Sequence, residues 1–132
     1  MKCIIVNDDL QMRKTIGKLI DYSRGVKLLS VFNSTSEAVL FLRDNCVDVI
    51  FFDIQMYDNK NLEFIQNISG RTFVIYIPEF SPFVNTTRKP HLEQISESTI
   101  AKRFKKGVDE ARIFLKQLKK EDSNIVDDYF VI

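Results

Sequence analysis

The sequence predicts an α/β domain, a doubly wound five-stranded parallel sheet with helices on both faces. Three observations carry this expectation. Apolar runs of strand length recur at Cys3-Ile4-Ile5-Val6, at Val49-Ile50-Phe51-Phe52 and at Phe73-Val74-Ile75-Tyr76-Ile77. Such runs suit strands covered on both faces rather than half-exposed ones. Segments with helical spacing separate them, which is the pattern of βαβ units. The second run ends on a carboxylate, Asp53. In open parallel sheets ligands bind beyond the carboxyl ends of the strands, where strand order reverses.

The first strand, residues 2–6, stops at Asn7-Asp8-Asp9, and Asp8 or Asp9 can cap the next helix. That helix spans residues 10–22, with Met12, Ile16, Leu19 and Ile20 on one face, and is closed by Arg24-Gly25. The second strand covers residues 26–32. A cap-rich turn, Asn33-Ser34-Thr35-Ser36, leads into a helix over 37–44. The third strand lies within 47–56, followed by a polar loop at 57–61 and a short helix at 62–68 that stops near Gly70. Residues 72–77 are the fourth strand.

Residues 79–90 contain Pro82, Pro90 and the pair Thr86-Thr87, so the fourth helix is expected to be weak, short or irregular. Residues 92–96 are a short fifth strand. Thr99 opens the clearest helix, reaching about Lys120, where Phe104, Val108, Ala111, Leu115 and Leu118 alternate steps of four and three along one face. Its other face is basic through Lys102, Arg103, Lys105, Lys106, Lys116, Lys119 and Lys120, and reads as a solvated face. Five strands joined by right-handed crossovers fit a flavodoxin-like order 2-1-3-4-5.

Composition narrows the class. A chain of 132 residues with 45% hydrophobic and 28% charged residues suits one ordinary globular domain. A formal net charge of +1 gives no global field toward nucleic acid or membrane. Cys3 and Cys46 form no C-x-x-C and read as buried free thiols of a reducing compartment. The chain enters its first strand directly, without a signal-peptide layout, and no apolar run is long enough to span a bilayer. These features favour the cytoplasm. The lone His91 has no partner at metal-ligand spacing.

The 2-1-3-4-5 order brings the ends of the first and third strands together. Asp8 and Asp9 are therefore expected beside Asp53, around a common point open to solvent. Three converging carboxylates repel, and a bound cation or a raised pKa on one of them relieves the repulsion. Oxygen-only donors suit Mg²⁺, which keeps several waters and is often completed by a phosphate. A carboxylate beside Mg²⁺ can act as a nucleophile toward phosphorus, giving an aspartyl phosphate.

Ile4-Ile5-Val6-Asn7-Asp8-Asp9, the run Ile50-Phe51-Phe52-Asp53-Ile54-Gln55-Met56 and the later Asn61-Leu62-Glu63-Phe64 resemble the receiver domain of two-component response regulators. The helix around Phe104 resembles that family's last helix. The likeness covers about residues 2–120 and is closest to receivers that precede a LytTR-type DNA-binding domain. It implies that Asp53 accepts a phosphoryl group from a sensor histidine kinase. It also implies that Asp8 ligates Mg²⁺ with Asp53 and the backbone carbonyl of Gln55, while Asp9 falls on a third, often acidic position. A homodimer through the side made by the family's fourth helix, fifth strand and last helix is a further implication.

The departures are specific. Asn7 stands where the family usually has an acid. Pro78 aligns with the hydroxyl residue at the end of the fourth strand, and Glu97 with the lysine at the end of the fifth. Those two groups normally grip phosphoryl oxygens and pass the signal on. A degenerate receiver acting through phosphorylation-independent protein contacts is therefore the alternative reading. An enzyme is not expected. Haloacid-dehalogenase-type phosphatases want Asp-x-Asp, and Gln55 replaces the second acid. A flavin carrier would need a phosphate loop after the first strand, where Asn7-Asp8-Asp9 has the wrong charge. Direct nucleic-acid contact by the basic helix is not expected, because its apolar face is needed by the sheet. Residues 1–120 are thus read as the receiver. Residues 121–132 are read as a linker followed by the possible first strand of a LytTR-type domain, cut within it.

Overall fold

The computed structural model describes residues 1–53, 61–77 and 97–131. In chain order these hold β1 (Lys2–Val6), α1 (Leu10–Asp21), β2 (Lys27–Phe32), α2 (Thr35–Asp44), β3 (Val49–Asp53), α3 (Asn61–Gln66), β4 (Phe73–Ile77) and α4 (Glu97–Val131). The strands form one sheet in the order β2-β1-β3-β4, and every pairing is parallel. This is the expected α/β architecture. The expected fifth strand at 92–96 and the irregular fourth crossover at 79–90 lie outside the described residues.

Strand alternation builds two apolar layers. Cys3, Ile5, Val49, Phe51, Ile75 and Ile77 face α1 and α4, meeting Ile16, Ile20, Phe104, Val108 and Ala111. Ile4, Val6, Ile50 and Phe52 face the other way, toward Ala38 of α2 and Phe64 of α3. Successive strand residues point to opposite faces, so a sheet covered on both sides needs apolar residues at every position. Ring stacking anchors each layer. Phe51 stacks on Phe104 at 5.4 Å between centroids, and Phe52 on Phe64 at 5.2 Å.

Local chemistry sets the helix ends. Ser34 caps α2, its hydroxyl accepting from the Glu37 N–H at 3.4 Å. The helix therefore begins two residues before the expected position 37. Gly25 turns the chain into β2 with φ +73°, a conformation that suits glycine. Arg112 of α4 donates to the Arg24 carbonyl at 2.6 Å, which ties the last helix to this turn. Gly107 lets α4 approach β4 closely. A Cβ there would meet the Ile75 side chain at 3.1–3.4 Å.

Two expectations about the second half change. Glu97 begins α4 instead of ending a strand, and the helix continues past Lys120 to Val131. The run 121–131, expected as linker and strand, is helical here. The physical reason is the absence of any Gly or Pro between Val108 and Ile132, so nothing in the sequence stops the helix. Cys46 is the third correction. It is exposed, while Cys3 is buried. Cys46 lies just past the end of α2, in the connection to β3, and its apolar neighbour Val47 takes the buried position.

Among the described residues, no helix is long and apolar enough to cross a membrane.

Candidate functional site

The site is built where β1 and β3 end. The β1–β3 register pairs Cys3 with Val49 and runs in step to Val6 with Phe52. The next residue on each strand is Asn7 and Asp53. Asp53 is the last residue of β3 and pairs with Ile77 on its other side. By alternation Asn7 and Asp53 fall on the same face of the sheet, the face of Ile5 and Phe51.

Asn7 serves two structural purposes. Its backbone N–H donates to the Phe32 carbonyl at 2.9 Å, which extends the pairing of β1 with β2 by one residue. Its side-chain Oδ1 accepts from the Asp9 N–H at 2.7 Å, the geometry of an Asx turn. The turn sets Asp9 at the N-cap of α1. There Oδ1 of Asp9 accepts from the Gln11 N–H at 2.9 Å and the Met12 N–H at 3.3 Å. Asp9 thus satisfies two of the helix's otherwise unpaired donors. Asp8, between the two, is exposed.

Asp53 is 7% exposed, so it is buried and not open to solvent as expected. The reason is its place on a central strand, flanked by β1 and β4. Among the described residues, no three His, Cys, Asp or Glu side chains gather as a metal-binding group. The carboxylate of Asp9 is engaged with its own helix, which leaves Asp8 and Asp53 as the acids of the two strand ends. Gln55 and Pro78 lie outside the described residues, and Glu97 is the first residue of α4.

Sequence reading missed the part played by Asn7. The available signal was the Asn-x-Asp spacing before a helix, which is typical of an Asx turn feeding an N-cap.

Other features of the molecule lie away from this point. A cleft between α2 and α3 is lined by Val39, Leu40, Phe64 and Ile68. Another, lined in part by Asp48, Arg71, Arg112 and Lys116, sits toward the amino-terminal end of the sheet. Cys3 is buried. Burial pushes its thiol up to about 12, partly opposed by the N-terminal ammonium.

No family model matches the chain. Over 80 residues, 58% of this chain, it is 30% identical to the transcriptional regulatory protein YpdB of Escherichia coli K12 and covers 33% of that protein. It is also 30% identical over 80 residues to protein MrkE of Klebsiella pneumoniae, covering 30% of it. The chain therefore spans about a third of the length of these relatives. Among solved structures, the response regulatory domain of MrkE from Klebsiella pneumoniae superposes with a TM-score of 0.61 at 22% identity, covering 85% of this chain and 98% of that one. The fold is that of a response-regulator receiver domain, and the sequence is similar to that of transcriptional regulators.

Proposed function

We propose that this chain is the receiver module of a two-component phosphorelay, with Asp53 as phosphoryl acceptor, and that it controls an attached LytTR-type DNA-binding domain. One observation carries the reading. Asp53 is the last residue of a central strand, next in register to the exit of β1, at the switch point of a receiver-type sheet. In the reaction a carboxylate oxygen of Asp53 forms the new bond to phosphorus. The bond from phosphorus to the kinase's histidine nitrogen breaks, and its electron pair stays on that nitrogen. A sensor histidine kinase is thus the partner that supplies the group.

The donor set fits Mg²⁺ in kind. Asp8 and Asp53 are hard oxygen ligands, and the Gln55 carbonyl is the third protein donor of this reading. A bound Mg²⁺ would supply charge stabilisation for the transferring phosphoryl group. The chain's own residues orient the nucleophile: the β1–β3–β4 pairing fixes the backbone of Asp53, and the Asx turn at Asn7 fixes the chain beside it.

Asn7 in place of an acid, Asp9 committed to a cap and Asp53 buried favour a second reading, a receiver that acts by phosphorylation-independent contacts. A titration of the isotope-labelled chain with Mg²⁺ and beryllofluoride separates the two. On the phosphorelay reading, resonances flanking Asp53 shift in the native chain and stay in place in Asp53→Asn. With Pro78 at the position of the family's hydroxyl residue, residues 87–98 are expected to move little. A native spectrum unchanged at Asp53 would leave only the second reading.

A further inference from the structure

Two clefts run into each other at the end of the sheet opposite Asp53. One lies between α2 and α3 and has a volume of about 630 Å³. The other, of about 700 Å³, lies beside α4 at the amino-terminal ends of β3 and β4. Leu42, Asn67 and Ile68 line both, so the two form one continuous groove. Clefts of this size suit a small molecule.

The two arms differ in chemistry. Between α2 and α3, Val39, Leu40 and Phe64 offer apolar surface, and the charges there balance, Arg43 against Glu63. The arm beside α4 is lined by Arg71, Arg112, Lys116 and Lys119 with one acid among the described residues, Asp48. Asp48 is already committed, since its Oδ2 accepts from the Lys2 N–H at 2.8 Å. Arg112 is held by the Arg24 carbonyl and Asp109. Lys116 and Lys119 are exposed, and among the described residues neither has an ion-pair partner. One helical turn apart on α4, they share a face. Half-buried Leu115 and Leu118 line the same arm, so apolar surface continues from one end of the groove to the other.

From this polarity we infer that the groove binds a free long-chain carboxylate, its chain lying between α2 and α3 and its head group held by Lys116 and Lys119. Burial of the chain supplies affinity, and the charged end fixes the orientation. The site is separate from Asp53 and does not depend on phosphoryl transfer there.

The probe is dodecanoate, below its micelle-forming concentration, titrated into the full isotope-labelled chain. Resonances of residues 39–48, 63–72 and 112–119 are expected to shift, and those flanking Asp53 to stay in place. Cys46 is exposed and lines the arm beside α4, so bound dodecanoate should slow its alkylation. Lys116→Glu/Lys119→Glu is expected to weaken dodecanoate binding at least about tenfold. The same variant should take up dodecyltrimethylammonium, which the native chain should refuse. Leu40 is 59% exposed, so Leu40→Lys tolerates folding, and the charge it places in the apolar arm should weaken dodecanoate as well.

If a variant does not fold, the native chain decides through its shifts and the Cys46 rate. No binding of dodecanoate, or shifts confined to other residues, overturns the inference. An affinity unchanged by the charge reversal also overturns it, and is the result if the lysines only offset the carboxyl ends of α2 and α3. A native chain that sediments with phosphatidylglycerol vesicles but ignores free dodecanoate overturns it too, because the basic edge would then be a membrane contact.

Discussion

At the residue scale, three consecutive polar residues after β1 have three separate roles. Asn7 forms the turn, Asp8 faces solvent and Asp9 caps α1. A cap at Asp8 or Asp9 is legible in the sequence, since acids before a helical pattern are a familiar start signal. That Asp9 takes the cap while Asn7 forms the turn before it is not. This outcome depends on a hydrogen-bond choice only geometry reveals. Asp9→Ala removes an acceptor for two backbone donors, and urea denaturation is expected to show a loss of about 1 kcal/mol.

The two thiols should differ in the same direction as their burial. Under native conditions a disulfide-exchange reagent is expected to label Cys46 quickly and Cys3 only on unfolding. Cys3 also shapes stability in alkali. The unfolded thiol ionises near its ordinary 9.0, whereas the folded one holds its proton to about 12. The folded state binds more protons in that window, so this contribution to stability is complete below about pH 9 and fades as pH rises toward 12. Denaturation midpoints measured across that range, against Cys3→Ala, check the sign.

At the element scale, α4 and β3 carry the packing that positions the site. Phe104 stacks on Phe51 two residues before Asp53, and Gly107 brings the helix against Ile75. Phe104→Ala is expected to cost about 3–5 kcal/mol by cavity formation. Gly107→Ala tests the close approach. Alanine favours helix by roughly 1 kcal/mol over glycine, but its methyl would press on Ile75 at 3.1 Å. Thermal melts are expected to show little net gain or a loss, and a gain of the full propensity difference would mean that Ile75 yields freely.

The starts of the four described strands are legible in the sequence to within two residues, because nearly uninterrupted apolar runs leave little choice of element. The last helix is legible for its packing face but not for its ends. Propensity places Thr99 at its start and an extended run after Ser123, yet Glu97 begins the helix and no breaker interrupts it before Val131.

At the scale of the molecule, the parallel order β2-β1-β3-β4 turns distant residues into a single sheet edge. That juxtaposition is legible from the alternation of strands and helices, since right-handed crossovers leave few possible orders. The buried state of Asp53 is not, because it depends on the flanking strands rather than on its own sequence. The described core uses Phe104, Val108 and Ala111 of α4, and Phe114 pairs with Phe73. All precede Lys120. If residues 1–120 form a receiver by themselves, deleting residues 121–132 leaves the melting temperature nearly unchanged, and a drop of many degrees would contradict that division.

The sharpest test of the phosphorelay reading is site mapping after incubation with acetyl phosphate and Mg²⁺, by borohydride reduction and peptide mass spectrometry. Reduction of an acyl phosphate converts its aspartate to homoserine, a mark that survives digestion. Homoserine is expected at Asp53 alone, with none in Asp53→Asn. Homoserine at Asp8 or Asp9, or none anywhere in the native chain, would contradict Asp53 as the acceptor.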